Sequence, residues 1–242
     1  MGILYLISTP IGNLEDISLR AAKTLFSVKL ILCEDTRRTG RLLEWIQSSR
    51  NFPNLSEQTR PDLLSYTDQS RNQHMDEILA RLAKGQEVAL VSNAGTPLLS
   101  DPGFKLVQEV IEISENFDVK VTSIPGANSL LPALQLSGLP PDKFFFLGFL
   151  PKKEKGRLEL LEMVKSFFEK LKFSIIAYES PYRLSDSLGD VEKVFGNCWV
   201  TVCREMTKMH EEIYRGRVTE AQEHFLNNQP KGEVTLVIRP LG

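Results

Sequence analysis

Short apolar runs, each closed by a turn cluster and followed by a longer amphipathic stretch, constrain this chain more than any other feature of its sequence. A run of about five apolar residues suits a strand and is too short for a helix. Its alternation with helical periodicity reads as α/β, with parallel strands buried on both faces. Val88-Ala89-Leu90-Val91 is the plainest case, and Leu4–Ser8, Leu30–Cys33 and Val119–Ile124 are its companions in the first half. Helices are expected over 16–26, from about Thr36 through Trp45, and over 72–82. In the last of these Met75, Ile78, Leu79 and Leu82 share a face and Gly85 ends the turn. Another helix is expected to open at Pro102, with Ser100 or Asp101 as its cap. Residues 47–62 are polar, hold two prolines and read as a loop or insertion.

The second half predicts strands at Phe144–Phe149, Ser174–Tyr178, Trp199–Cys203 and Val234–Ile238, with helices over 154–170 and 181–189. From about residue 198 the strands are separated partly by short polar segments, and Glu211–Arg217 looks extended. Antiparallel pairing and a mixed sheet follow. The expectation is two α/β domains, 1–123 with a mainly parallel sheet and 124–242 with a mixed one. A length of 242 residues with 42% hydrophobic content is enough for two cores.

Composition removes several classes. A formal net charge of -2 argues against an all-over nucleic-acid coat, although local basic patches remain open. The three cysteines, Cys33, Cys198 and Cys203, lack CxxC spacing and lie in or beside apolar runs, as buried free thiols do. His74, His210 and His224 have no metal-ligand spacing, so no metal is expected. The first residues lack the basic start of a signal peptide, and no apolar run nears the roughly 18 residues of a membrane span. A reducing cytoplasm is the default address.

Ligands of α/β sheets bind beyond the carboxyl ends of the strands. Four loops at such ends are rich in Gly, Pro, Asp, Asn or Thr: Thr9–Asn13, Glu34–Thr39, Ser92–Gly103 and Ile124–Ser129. Each could be an ordinary strand-to-helix turn; four on one edge point to a site. None has the spacing of a P-loop, a GxGxxG turn or a GxSxG nucleophile elbow. Arg37, Arg38 and Arg41 form one basic cluster, and Lys152, Lys153, Lys155 and Arg157 form another. Solvated helix faces and a rim for a polyanion both fit these clusters. Tyr178-Glu179-Ser180-Pro181-Tyr182-Arg183 sets two aromatics and an arginine around a turn, suited to stacking on a base or to packing beneath the turn.

These loops also carry a family resemblance. Thr9-Pro-Ile-Gly-Asn-Leu-Glu-Asp-Ile, Glu34-Asp-Thr-Arg, Ala94-Gly-Thr-Pro with Ser100-Asp-Pro-Gly, Ile124-Pro-Gly, Ser137-Gly-Leu-Pro, Gly148-Phe-Leu-Pro and Tyr178-Glu-Ser-Pro are seven matching segments. Arg204-Glu, Arg215-Gly and Lys231-Gly-Glu extend the match over nearly the whole chain. In this order they resemble the tetrapyrrole methylase superfamily and, within it, the bacterial 16S ribosomal RNA cytidine 2′-O-ribose methyltransferases.

The resemblance implies two α/β domains with S-adenosylmethionine in the cleft between them, a homodimer, and 16S rRNA of the small ribosomal subunit as substrate. It implies cofactor contacts at Asn93, Ala94, Gly95, Leu99, Asn128, Glu179, Met206 and Gly232, with Pro10 and Leu150 lining the cleft. Three departures stand out, one being that the stretch 47–62 is longer than the family leads one to expect. Asn93 occupies a position where the family usually has Asp, so no negative charge faces the cationic cofactor there. Residues 66–70 read Tyr-Thr-Asp-Gln-Ser, without the His and Asn usual in the family.

Methyl transfer to a hydroxyl calls for alignment and a base. Glu34 is the first candidate and Asp35 the second, since both sit at a strand end beside Arg37. The alternative is that Asp35 and Thr36 cap the helix while Glu34 pairs with Arg37 or Arg38. Arg37, Arg38, Lys152 and Lys153 are the candidate phosphate contacts. Two rival readings are a methylase of the same fold acting on a corrin-pathway tetrapyrrole, and a non-catalytic binding protein. The basic segment 151–157 speaks against the first, and Asn93 is the feature that raises the second.

Overall fold

The computed structural model describes residues 1–240 other than Asp68 and Gln229, and leaves aside the side chains of Arg71 and Asn72. Asp68, within one of the family departures, and Leu241 and Gly242, at the end of the expected second domain, lie outside the described residues. The chain divides into two units, 1–128 and 129–242, against an expected junction after residue 123.

The first unit holds strands β1 (Gly2–Ile7), β2 (Leu30–Cys33), β3 (Asp62–Ser65), β4 (Glu87–Val91) and β5 (Val119–Ile124) in one parallel sheet. Their order is β3-β2-β4-β1-β5. Helices α1 (Leu19–Ser27), α2 (Thr36–Ser48), α3 (Arg71–Ala83) and α4 (Phe104–Ile113) connect them. The period-2 alternation of the strands explains why the runs are apolar throughout. Ile31, Cys33, Ala89 and Val91 enter one core with Ala22 and Leu25 of α1 and Leu43 and Ile46 of α2. Leu30, Leu32, Val88 and Leu90 point the other way, against Ile78 and Leu82 of α3 and Leu106 and Val110 of α4.

In the second unit the strands are β6 (Phe144–Phe149), β7 (Ser174–Glu179), β8 (Trp199–Arg204), β9 (Glu212–Arg217) and β10 (Val234–Arg239). They run in the order β6-β7-β10-β8-β9. β6 and β7 are parallel, while β10 pairs antiparallel with β7 and β8, and β9 antiparallel with β8. The expected mixed sheet is the observed one. Helices α6 (Glu154–Lys170), α7 (Leu184–Phe195) and α8 (Val218–Asn227) cover one face around Leu161, Leu188, Val191 and Phe225. The helix α5 (Leu130–Ser137) lies against β10 and β8.

Several local expectations change. The helix expected from Pro102 begins at Phe104 with Gly103 as its N-cap, because the chain before it is left-handed at Leu98, Ser100 and Gly103, with φ of 73°, 72° and 123°. The helix expected over 181–189 is a 3-10 turn, Pro181–Arg183, followed by α7, which runs on to Phe195 because Val191 and Val194 continue its buried stripe. Strand β3, not expected from the sequence, begins at Asp62, the last residue of the segment read as a loop. Helix α5 carries Pro132 in its first turn, where the missing N–H has no helical partner to lose.

Arg157 is also corrected. It is not part of a solvated basic face: its guanidinium is buried, 4% exposed, against Asp190, 2% exposed. Nε donates to Asp190 Oδ2 at 2.7 Å and an Nη group donates to the Pro151 carbonyl at 3.2 Å, tying the start of α6 to α7. Lys193 also bonds Asp190, at 2.8 Å. Removing one member of a buried pair strands the other charge away from water. Arg157→Ala is therefore expected to destabilise the protein by about 3 kcal/mol in urea unfolding. A loss within about 0.5 kcal/mol, the level of an ordinary surface change, would contradict the structural role.

Candidate functional site

In the first unit the parallel ladder brings the candidate loops to one edge. Ile7 pairs with Val91 and Ile124, and Cys33 with Val91 and Ser65, so the segments that follow these residues leave the sheet side by side. Hydroxyl and main-chain bonds then join them. Thr9 and Gly95 exchange N–H···O bonds of 2.9 and 3.0 Å, and Thr9 Oγ1 donates to the Ser92 carbonyl. Ser92 Oγ donates to the Gly95 carbonyl at 2.9 Å; Thr96 Oγ1 reaches Ser8 Oγ and the Ala127 carbonyl. Gly95 has φ +84°, and a Cβ there would crowd the Ile11 side chain at 3.2 Å while making ordinary contact with the main chain of Ala127 and Asn128 at 3.6 Å. Three loops therefore close on each other at a residue that only glycine fits without strain.

Pro10, Asn93, Ala94, Gly95, Leu99 and Asn128 all lie in these joined loops. Pro10 is buried, Asn93, Ala94 and Asn128 are half-buried, and Leu99 is exposed. Glu34 follows β2 directly and meets the Ser92–Gly103 loop: Asn93 Nδ2 donates to Glu34 Oε2 at 3.2 Å. Glu34 Oε1 and Asn93 Oδ1 are buried atoms without a hydrogen-bond partner. An acceptor left in this state costs about 1–3 kcal/mol, which a donor supplied from outside the chain would recover. The sequence signals each of these residues separately but not their pairing, which depends on β2 and β4 being neighbours.

Asp35 takes the capping role. Its Oδ1 accepts from the N–H groups of Arg37 at 2.9 Å and Arg38 at 3.4 Å at the start of α2. The Arg37 bond first, then the Arg38 bond, holds its carboxyl below the usual carboxylate range. The side chains of Arg37 and Arg38 are exposed on the first turn of α2.

In the second unit the antiparallel β10 starts beside the ends of β7 and β8, since Val234 pairs with both Glu179 and Arg204. Glu179, Met206 and Gly232 are thereby brought to one sheet edge. Leu150 joins them by donating its N–H to the Tyr178 carbonyl at 3.1 Å. Leu150 and Met206 are buried and apolar. The Glu205 carboxyl fills the space that a side chain on residue 232 would need. Burial works to raise the Glu205 carboxyl, but bonds from the Lys208 ammonium and the Glu233 N–H outweigh it and hold it low.

Glu179 is 2% exposed and committed to its own turn. Oε1 accepts from the Ser180 N–H and from Arg183, each at 2.5 Å, and Oε2 accepts from Ser187. Any contact it makes to a ligand would come from its main chain. Glu179 ends β7 and Arg183 precedes α7, so no helical spacing signals this lock in the sequence. Tyr178 packs edge-on against Phe146 and Phe149, while Tyr182 is exposed. Lys152 and Lys153 are exposed immediately before α6.

The cysteines carry no chemistry here. All three are buried and free, and burial pushes the Cys198 and Cys203 thiols up to about 12, far from the reactive thiolate. No helix among the described residues is long and apolar enough to cross a membrane.

Two five-stranded α/β units with loops gathered at strand ends are the fold of a known class of methyltransferase. The solved methyltransferase CobJ superposes with a TM-score of 0.68 at 14% identity, over 99% of this chain and 95% of that one. The chain belongs to the tetrapyrrole (corrin/porphyrin) methylase family, whose model matches residues 3–222. Within this family it is 44% identical to the ribosomal RNA small subunit methyltransferase I of Synechocystis sp., over 98% of this chain and 79% of that protein. It is 43% identical to the protein of the same name from Thermotoga maritima, over 98% of each.

Proposed function

We propose that this protein is an S-adenosylmethionine-dependent methyltransferase that methylates the ribose 2′-hydroxyl of a cytidine in 16S rRNA, acting on the small ribosomal subunit in the cytoplasm. The observation that carries this reading is full-length similarity, above 40% identity, to proteins named ribosomal RNA small subunit methyltransferase I. The family model as a whole describes corrin and porphyrin methylases and does not separate the two substrate classes.

The residues present fit such a cofactor. Asn93 Oδ1 is a buried acceptor in want of a donor, and the cofactor carries an ammonium and ribose hydroxyls. The half-buried Ala94 sets only a methyl group beside its main chain, and the buried Gly95 holds the loop in place through its bonds to Thr9 and Ser92. Bound, the cofactor supplies an electrophilic methyl group on a sulfonium. Pro10, Asn93, Ala94, Gly95, Leu99 and Asn128 are assigned to hold it. Leu150, Glu179 (through its main chain), Met206 and Gly232 are the further contacts that the family resemblance implies.

Glu34 is the assigned base. Its Oε1 would take the proton of the ribose hydroxyl whose oxygen receives the methyl group that the cofactor would supply. One tied oxygen and one open oxygen suit that task, because the carboxylate is oriented without being saturated. Asp35, whose Oδ1 already caps α2, keeps a structural part. Arg37, Arg38, Lys152 and Lys153, all exposed, are assigned to phosphates of the RNA.

Two outcomes follow. Glu34→Gln should lower methyl transfer to small subunits by at least about 100-fold, the ordinary worth of a positioned base, while calorimetric affinity for S-adenosylhomocysteine stays near that of the unaltered protein. Unchanged turnover would remove Glu34 from the reaction. Replacing Arg37, Arg38, Lys152 and Lys153 by Gln should weaken RNA binding and flatten its dependence on salt, since each phosphate contact releases condensed counterions. A salt slope equal to that of the unaltered protein would refute these contacts.

A further inference from the structure

We infer that Asn93 is a positioning residue for Glu34: its amide nitrogen ties down Oε2, leaves Oε1 to receive the proton, and turns its own Oδ1 toward a donor on the cofactor. This rests on the assignment of Glu34 as base and of S-adenosylmethionine as cofactor.

The pairing is built into the sheet. Cys33 and Val91 are register partners at the ends of β2 and β4, so Glu34 and Asn93 are the first and second residues beyond one rung of the ladder. Their bond spans 3.2 Å. Chemistry fixes the amide's orientation, because an amide oxygen turned to the carboxylate would set acceptor against acceptor. Each partner keeps one buried oxygen without a hydrogen bond, and both oxygens belong to side chains joined by that bond. The cluster thus has two open acceptors, suited to two donors at neighbouring points: the target hydroxyl on Oε1 and a cofactor ammonium or ribose hydroxyl on Oδ1.

An amide is also a donor at every pH. A carboxylic acid at position 93 could donate only while protonated, and once ionised it would face a second carboxylate at hydrogen-bond range. With Asn93 the pair brings a single carboxyl to the bond, and no second carboxylate stands across it. Among the described residues, Cys33 and Asp35 flank Glu34 along the chain, Arg37 and Arg38 follow on α2, and Tyr66 follows β3 with its N–H on the Cys33 carbonyl. From β3 the Ser65 hydroxyl, which does not titrate in this range, donates to the Glu34 carbonyl at 3.4 Å.

The test is the pH profile of methyl transfer to small subunits for the unaltered protein, Asn93→Asp and Asn93→Ala, with S-adenosylhomocysteine titrated calorimetrically into each. In Asn93→Asp the two carboxylates share a proton, so the group that must be ionised to act as base loses it only at higher pH. The acid limb should move up by at least about one unit, with turnover recovering on the alkaline side. Asn93→Ala adds no charge: kcat should fall by about tenfold with a smaller displacement of the limb, the loss expected when a hydrogen bond to a charged group is removed. Asn93→Ala should also bind S-adenosylhomocysteine several-fold more weakly, whereas Glu34→Gln should not. Circular dichroism of each variant separates these effects from misfolding, and Asn93→Ser replaces any variant that does not fold. An Asn93→Asp profile superimposable on that of the unaltered protein, with Glu34→Gln inactive, would overturn the positioning role and leave the base assignment standing. An active Glu34→Gln would instead bring down the base assignment itself. Undiminished S-adenosylhomocysteine binding by Asn93→Ala would overturn the cofactor-facing role of Oδ1.

Discussion

The parallel ladder of the first unit is the constraint on which the candidate site depends. Its strands are connected by helices, so every strand points the same way and every strand-to-helix loop leaves from the same edge. The rungs that join Cys33 to Val91, Val91 to Ile7 and Ile7 to Ile124 align the places where four loops begin. A slip of one residue in β2 or β4 would exchange the two apolar faces of that strand and separate Glu34 from Asn93 at the same time. Core packing therefore holds the polar pair in register, and little of its geometry is left to flexible loop chain.

Polar groups at the ends of the strands divide into those that are satisfied and those that are not. Glu179 is saturated by Ser180, Arg183 and Ser187, Asp190 by Arg157 and Lys193, and the Thr9, Ser92 and Thr96 hydroxyls by neighbouring loop atoms. These are the fixings of the two units. Glu34 Oε1 and Asn93 Oδ1 stand apart as buried acceptors without partners in the first unit's loop edge. Unsatisfied acceptors among well-satisfied neighbours are what a binding site looks like before its ligand arrives.

Much of the fold was legible in the sequence because both faces of the first sheet are buried, which makes strands such as Val88–Val91 read as unbroken apolar runs. The mixed second sheet was legible for a different reason, the short polar connections around β9. What escaped was local. Strand β3 is an edge strand opening with Asp62 after Pro61, and α5 carries a proline in its first turn, so neither shows a clean pattern. Arg157 reads as one of four basic residues in a row of charges; only the arrival of Asp190 from α7 reveals it as a core residue. The candidate loops could be named from Gly, Pro and Asn content and from family resemblance. That Asp35 caps a helix is one of the two roles the sequence offers it, but that Glu34 meets Asn93 is a matter of strand neighbours, which no single-sequence pattern carries.

The chemical outcome of the reaction tests the central claim most directly. Small subunits lacking the modification would be incubated with the protein and S-adenosylmethionine labelled in its methyl group, and the RNA then hydrolysed in alkali. A ribose methylated on its 2′-oxygen cannot assist cleavage of the adjoining phosphodiester, so the account predicts that the label appears in an alkali-stable dinucleotide containing cytidine. Label released in ordinary mononucleotides, as methylation of a base would give, or no label in the RNA at all, would contradict it.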